Sequence, residues 1–272
     1  MNKDLVSIIT PCWNKLEFTK QMMDSVELFT DDWPFELIIV DNASTDGTKE
    51  FITNSKYKMN GQYLRNETNK GFAIPNNQGA RIAKGNFLLF LNNDTIVTKG
   101  WLSAMMNVFS EEKAVGAVGA RLIHPGRGTI QHAGVIEHPS GLPDHVYFNK
   151  PMDYPPANIR KPMFAVTGAC LLTPKALYEE LGGFDEQYWC GWEDMDLCYD
   201  KETQIVTKNG IKYIKDITLK DEVMTYNNHT NNIEYQKPEY QYNQSNIEKI
   251  MKPSQNLINE NKIKNQKLVN KY

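Results

Sequence analysis

The residues best equipped for chemistry in this 272-residue chain are acidic, and they are grouped. "GWEDMDLC" sets Glu193, Asp194 and Asp196 close together among Trp192, Met195 and Leu197. Adjacent carboxylates raise each other's pKa, which suits a base working near neutral pH. The plainer alternative is a solvated helix start, because Asp and Glu favour the first helical turn. Asp94 in "LNNDT" offers a hard oxygen ligand of the kind Mg²⁺ or Mn²⁺ takes, or else it is a turn residue after a strand. Asp41 in "IIVDNAS" is a second strand-end carboxylate, with an Asx-turn capping the next helix as its structural alternative. His132, His138 and His145 lack the spacing of a three-histidine site. His145 is a candidate to approach a metal or a diphosphate, although a lone His is usually a surface or packed residue. The four cysteines show no C-x-x-C spacing, so neither a zinc site nor a disulfide framework is expected. Cys170 reads as a small buried hydrophobe.

These groups need elements to position them. "LVSIIT" is a short buried-strand pattern closed by Pro11, and "LEFTKQMMDSVELF" has apolar residues at helical spacing. "FELIIVDNAS" is a second apolar strand, followed by cap candidates Ser44, Thr45 and Asp46. "GQYLRNETN" gives a weaker strand, "IPNNQGARIAKG" a helix ending at Gly85, and "NFLLFLNNDTIV" another strand. This alternation predicts an α/β fold with a mostly parallel sheet, in which ligands bind beyond the carboxyl ends of the strands. Those ends carry Asp41-Asn42 and Asn92-Asn93-Asp94. No G-x-G-x-x-G and no G-K-[ST] occurs, which disfavours dinucleotide dehydrogenases and P-loop enzymes. The net charge of −3, without a basic block, argues against nucleic acid as a partner. The first apolar run is too short for a signal-peptide core, and no stretch approaches the roughly 18 apolar residues of a membrane span. A cytoplasmic location is expected, with the inner face of the membrane as the peripheral alternative.

Five motifs in order carry a resemblance: "VSIITPCWNKLEFTKQMMDSV", "ELIIVDNASTDGT", "NKGFAIPNNQGARIAKGNFLLFLNNDT", "VTGACLLTPKALYEELGGFDEQYW" and "GWEDMDL". Over residues 5–197 the chain resembles family 2 glycosyltransferases, most of all their rhamnosyltransferase-like branch. The resemblance implies a GT-A, Rossmann-like nucleotide-sugar-binding domain, a nucleotide-diphosphate sugar donor and a glycan or lipid-linked hydroxyl acceptor. It also implies a divalent metal, Mn²⁺ or Mg²⁺, and inversion at the anomeric carbon. It assigns Asp94 to the metal. Thr10, Pro11, Asp41, Asn69, Gly71, Asn77 and Asn93 go to the donor nucleotide, with Asp41 accepting from a pyrimidine imide N–H. Thr167, Gly168 and Trp192 go to the acceptor side. Displacement at an anomeric carbon needs a base for the acceptor hydroxyl. The resemblance gives that role to Asp194, with Glu193 its neighbour and Asp196 the outside candidate. Trp189 and Trp192 could stack on sugar rings or belong to the core. Where the family often has an acidic residue two positions before Asp94, this chain has Asn92, which weakens the expected metal affinity.

The composition changes at Cys198. All five Trp, all four Cys and every Gly except Gly210 lie at or before it. Beyond it there is no Arg, and Asn and Lys make up roughly a third of the residues. "CYDKETQIVTKNGIKYIKDITLKDEV" alternates like short strands, with Asn209-Gly210 as a hairpin signal. It resembles the N-terminal splicing block of inteins, the Hint fold, on Cys198, Thr203, Ile205, Thr207, Gly210, Ile214, Ile217, Asp221 and Val223. Lys220 departs from it, standing where that family usually has Gly. The resemblance makes Cys198 a splicing nucleophile that attacks the Leu197 carbonyl. No Thr-x-x-His follows Cys198, so the chain is expected to be either the N-terminal partner of a split intein, with a C-terminal split-intein partner chain, or a truncated precursor. The expected organisation is a transferase domain over 1–197 lacking its C-terminal part, an incomplete all-β Hint segment over 198–242 and a partly disordered tail over 243–272. The alternatives are an ordinary transferase with a divergent C-terminal extension and a non-catalytic nucleotide-sugar-binding relative.

Overall fold

The computed structural model describes residues 3–54, 61–112, 115–137, 143–191, 193–198, 204–213, 220, 222–227 and 232–236. The chain divides into two compact units, the first running through to Cys198 and the second taking up from Tyr199.

The first unit begins β1 (Val6–Cys12), α1 (Leu16–Phe29), β2 (Phe35–Asp41), α2 (Thr48–Asn54), β3 (Gly61–Arg65), α3 (Ala73–Ile82), β4 (Phe87–Leu91) and α4 (Trp101–Glu111). Short strands follow: β5 (Val118–Gly119), β6 (Leu122–His124), β7 (Thr129–His132), β8 (Val135–Glu137) and β9 (Pro143–His145). A 3-10 turn at Pro155–Asn158, β10 (Cys170–Pro174), α5 (Lys175–Glu180) and α6 (Glu193–Cys198) complete it. The main sheet has the order β3-β2-β1-β4-β10-β5. β1 to β4 are mutually parallel, whereas β10 runs antiparallel to both β4 and β5.

Apolar residues of β1, β2 and β4 point to both faces, because both faces are covered. One core joins Ile8, Leu37, Leu89 and Leu91 to Met22 and Met23 of α1 and Leu102 of α4. The other joins Ile9, Ile38, Leu88 and Phe90 to Ala73 and Ala80 of α3 and Tyr178 of α5. Such two-sided burial is why these strands read as continuous apolar runs. Each fully buried side chain of this size contributes roughly 1.5–3 kcal/mol.

Two boundaries differ from the sequence expectation. β1 does not stop at Pro11, because the β1–β4 ladder ends at Ile9 while the β1–β2 ladder continues to Cys12. The missing Pro N–H therefore faces the side where no ladder bond is needed. α3 ends at Ile82 instead of Gly85, since Gly85 is drawn under β1. Its N–H donates to Ser7 Oγ at 2.8 Å, and a Cβ there would stand 2.5 Å from the Leu5 carbonyl oxygen.

In the second unit, β11 (Gln204–Thr207), β12 (Gly210–Tyr213), β13 (Val223–Asn227) and β14 (Asn232–Gln236) form an antiparallel sheet of order β12-β11-β13-β14. Lys208 and Asn209 turn between β11 and β12, as the Asn-Gly signal predicts. Thr203, Ile214, Ile217, Asp221 and the segment 243–272 lie outside the described residues.

Candidate active site at the strand ends

The sheet order reverses between β1 and β4, and a ligand crevice is expected at such a switch point, beyond the carboxyl ends of the strands. β1 and β4 part after Ile9 there. Thr10 is fully buried, and its hydroxyl has no hydrogen-bond partner among the described residues. The loops after β1 and β2 are tied together. Asn14 N–H donates to Ser44 Oγ at 2.7 Å, and Thr45 N–H to Asn14 Oδ1 at 2.8 Å. Asp46 accepts from Leu16 N–H (2.7 Å) at the start of α1 and from the Thr48 hydroxyl (2.6 Å) at the start of α2. Burial opposes ionisation of Asp46, but the bonds from Thr48 and Leu16 outweigh it and hold the carboxyl below its usual value.

Asp41 ends β2 with no exposed surface. Its Oδ1 accepts from Ser44 N–H at 2.8 Å, which is the Asx-turn geometry. Its Oδ2 accepts from the Tyr63 hydroxyl at 2.7 Å and from the Arg65 guanidinium. Arg65 lies opposite Asp41 in the β2–β3 register and also donates to the Ser44 carbonyl at 2.8 Å. Burial, and then donation to Asp41, push the Tyr63 hydroxyl well above its ordinary pKa. Sequence reasoning missed Tyr63 and Arg65, because only the strand register shows that they meet Asp41.

Asn69 caps the turn into α3 by accepting from Gly71 N–H at 2.9 Å, and Asn42 Nδ2 donates to the Gly71 carbonyl at 2.9 Å. Gly71 has φ +77°, and a Cβ on it would sit 2.2 Å from the Trp189 carbonyl oxygen. That carbonyl accepts from Phe72 N–H at 2.8 Å, which joins the start of α3 to the segment before the acidic motif. Asn77 is placed differently from the donor contacts. It is buried, donates to the Phe184 carbonyl (2.8 Å) and Glu186 (3.1 Å), and accepts from the Tyr178 hydroxyl (2.5 Å) and Phe184 N–H (3.0 Å). Those bonds use its capacity to brace α3 against α5, so its part in the site is structural.

At the end of β4, Asn92 N–H donates to the Ala169 carbonyl at 3.0 Å and Asn93 Nδ2 to Thr19 Oγ1 at 3.0 Å. Asp94 is exposed, with no hydrogen bond or ion pair from a described residue. β10 pairs with β4 from Cys170 opposite Leu91, so Thr167 and Gly168 run beside the Asn92–Asp94 turn. Gly168 N–H donates to Asp194 Oδ2 at 2.8 Å, and Met195 N–H to Asp194 Oδ1 at 2.9 Å. A Cβ on Gly168 would stand 3.2 Å from the Phe72 ring. Glu193, next to Asp194, is 5% exposed, and its Oε2 has no partner among the described residues. Burial first, and the Asp194 charge second, push its carboxyl up to about 7. Trp192 lies outside the described residues, as does the side chain of Asp196. Cys198 closes α6, and burial pushes its thiol up to about 11, with a backbone bond at Val166 acting against the shift.

Among the described residues no cluster of three or more His, Cys, Asp or Glu could hold a metal unaided. A free exposed carboxylate at Asp94 fits instead an ion shared with a ligand's phosphates, the mode Mg²⁺ and Mn²⁺ favour. His145 is engaged elsewhere, its Nδ1 lying 2.8 Å from Nδ1 of His132.

Comparison with known proteins agrees with this fold. The O-antigen biosynthesis protein RfbC of Myxococcus xanthus is 31% identical over 200 residues, covering 71% of this chain and 15% of RfbC. The poly(ribitol-phosphate) beta-N-acetylglucosaminyltransferase TarS of Staphylococcus aureus is 32% identical over 97 residues, covering 34% of this chain and 17% of TarS. The chain thus spans less than a quarter of either relative's length. Among solved structures, TarS 1–349 in complex with UDP matches with TM-score 0.52 and 22% identity over 71% of this chain and 54% of that one. A mannosyltransferase from Pyrobaculum calidifontis in complex with GDP-Man and Mn²⁺ matches with TM-score 0.53 and 19% identity over 72% and 51%. At such identities these structures speak for the GT-A fold. The family model described as Glycosyl transferase family 2 matches residues 7–182, which span the switch point, both strand-end acids and β10, the antiparallel neighbour of β4. On that match, and on the strand-end carboxylates it encloses, the chain belongs to glycosyl transferase family 2.

Proposed function

We propose that the protein moves a sugar from a nucleotide-diphosphate donor to a hydroxyl acceptor, with inversion at the anomeric carbon, during synthesis of a cell-surface glycan. The observation that carries this is the β4–β10 register. It brings Asp94, suited to a diphosphate-bound ion, beside the Gly168 amide that anchors Asp194. The printed roles of the relatives, O-antigen synthesis and poly(ribitol-phosphate) modification, support a polysaccharide acceptor.

Asp41 and Arg65 form the base end of the donor site, with Thr10 and Pro11 beneath it. Three donors occupy Asp41, which has no exposed surface, so a base N–H reaches its fourth lone-pair position only where Tyr63 or Arg65 yields. Gly71 lets the turn before α3 pass against the Trp189 carbonyl, where a side chain would clash. Asp94 would hold Mn²⁺ or Mg²⁺ together with the donor phosphates; when bound, the ion supplies charge stabilisation to the leaving diphosphate. Asp194, held by two amides, takes the acceptor hydroxyl proton as that oxygen attacks the anomeric carbon and the diphosphate departs. Glu193, its carboxyl raised to about 7, stands beside Asp194 with a buried oxygen that no described residue partners.

Calorimetry tests the donor site. UDP or GDP should bind the full chain with Mn²⁺ and lose that dependence in Asp94→Ala. Equal affinity with and without Mn²⁺ in both forms sinks the assignment.

We further infer that an N-terminal intein segment interrupts this enzyme at Cys198. Support comes from the unit boundary after Cys198, the antiparallel hairpins beyond it and the end of the family match at residue 182. Burial raises the Cys198 thiol to about 11, so splicing would need a partner that lowers it.

A further inference from the structure

We propose that His132 is a positioning residue for the transfer reaction. It is locked as one tautomer between the Thr167 amide and His145. The inference rests on Asp194 acting as the base.

The geometry determines the protons. His132 is 1% exposed at the end of β7. Thr167 N–H donates to His132 Nε2 at 3.4 Å, so Nε2 carries no proton. A neutral imidazole must then carry its proton on Nδ1. That Nδ1 lies 2.8 Å from Nδ1 of His145, a distance at which one nitrogen donates and the other accepts. His132 therefore donates and His145 accepts, which leaves the His145 proton on Nε2.

The pair has no second arrangement that satisfies both contacts. A proton on Nδ1 of His145 would face Nδ1–H of His132. If His132 moves its proton to Nε2 to relieve that clash, it meets the Thr167 N–H. One of the two hydrogen bonds is lost in either case. His132 cannot escape by becoming charged, because burial, and next the His145 charge, push its pKa down to about 3. The groups facing the pair are the Thr167 amide, the Phe148 ring 6.5 Å from His145, and His124 beyond Phe148. No hydrogen bond or ion pair from a described carboxylate reaches either ring.

The lock reaches the reaction through two consecutive residues. Thr167 is held by His132, and Gly168 by Asp194. Freeing the Thr167 amide loosens the turn that orients the Asp194 carboxylate. A base displaced by about 1 Å loses on the order of a hundredfold in rate.

Long-range proton–nitrogen correlation spectra of the full chain, labelled at histidine nitrogen and backbone amides, test this between pH 8 and 5. The expected result is a single Nδ1–H tautomer at His132 that stays neutral throughout. The Thr167 and Gly168 amide signals should shift together in His145→Ala, which removes the acceptor for His132. An Nε2–H tautomer at His132, or amides that stay put in His145→Ala, overturns the proposal. In a turning-over enzyme His145→Ala should lose on the order of tenfold or more in kcat with donor affinity unchanged, and His145→Gln, whose amide oxygen accepts from His132, should restore it; equal rates for the parent and His145→Ala also overturn the proposal. Failure of the base assignment itself reads out separately, as a fully active Asp194→Asn.

Discussion

Glu193 and His132 are buried groups with opposite consequences of pH. Glu193 has its carboxyl raised from 4.5 to about 7, so the fold favours its neutral form. Its burden is absent below pH 4.5, grows as pH rises through 7 and is complete above it. At about 1.4 kcal/mol per unit this amounts to roughly 3 kcal/mol. His132 is held neutral down to about pH 3, so it makes the fold less stable as pH falls below 6.5. Glu193→Gln should therefore raise thermal stability at pH 8 by up to that 3 kcal/mol and leave it unchanged near pH 4. Melting curves at the two pH values decide; a variant no more stable than the parent at pH 8 refutes a buried charge at Glu193. Asp194→Asn in a ligated enzyme should cut turnover by about a hundredfold or more with donor affinity intact, as loss of a general base does. Steady-state rates with calorimetric donor binding measure both, and undiminished turnover would move the base to Glu193 or Asp196. At this scale the carboxylates were legible because their chemistry is written in residue type. The Arg65–Asp41 and His132–His145 contacts were not, because their partners are 24 and 13 residues apart and meet only through strand pairing.

Among the elements, α3 shows how tightly the site is mounted. Gly79 faces β1, and a Cβ there would stand 2.4 Å from Cγ2 of the fully buried Ile9. Alanine at this position gains about 1 kcal/mol of helix propensity. Forcing a methyl into a packed interior costs about 1–3 kcal/mol. Ile9 lies between β2 and β4 with no space to retreat, so the packing cost wins. Gly79→Ala should lower the midpoint of urea unfolding and weaken donor binding, since the Gly71 turn precedes the same helix. A midpoint equal to that of the parent would mean α3 moves off the sheet freely. The strand and helix alternation was readable from apolar periodicity, but the ends of β1 and α3 were not. Pro11 and Gly85 look like stops, and whether they stop an element depends on which side of β1 lacks a ladder partner and how closely Gly85 must approach Leu5.

For the molecule as a whole, the chain alone should bind donor without turning it over. Asp41 and Asp94 lie far upstream of Cys198, whereas Asp194 is only four residues before it on α6. Adding a chain that supplies the complementary C-terminal splicing half should produce a ligated species by intact mass, joined at Leu197, together with sugar transfer. Full transfer by the 272-residue chain before mixing would show that Cys198 and its tail belong to the transferase. The residues by themselves determined the α/β alternation, the acidic strand ends, the family and the compositional break at Cys198, because periodicity and side-chain chemistry are local properties. Only the tertiary structure decided the strand order, which opens the crevice between β1 and β4. It also decided the reversed β10, which brings Gly168, and through its amide Asp194 of α6, to the end of β4. Register and burial are relations between distant segments, and no single segment encodes its partner.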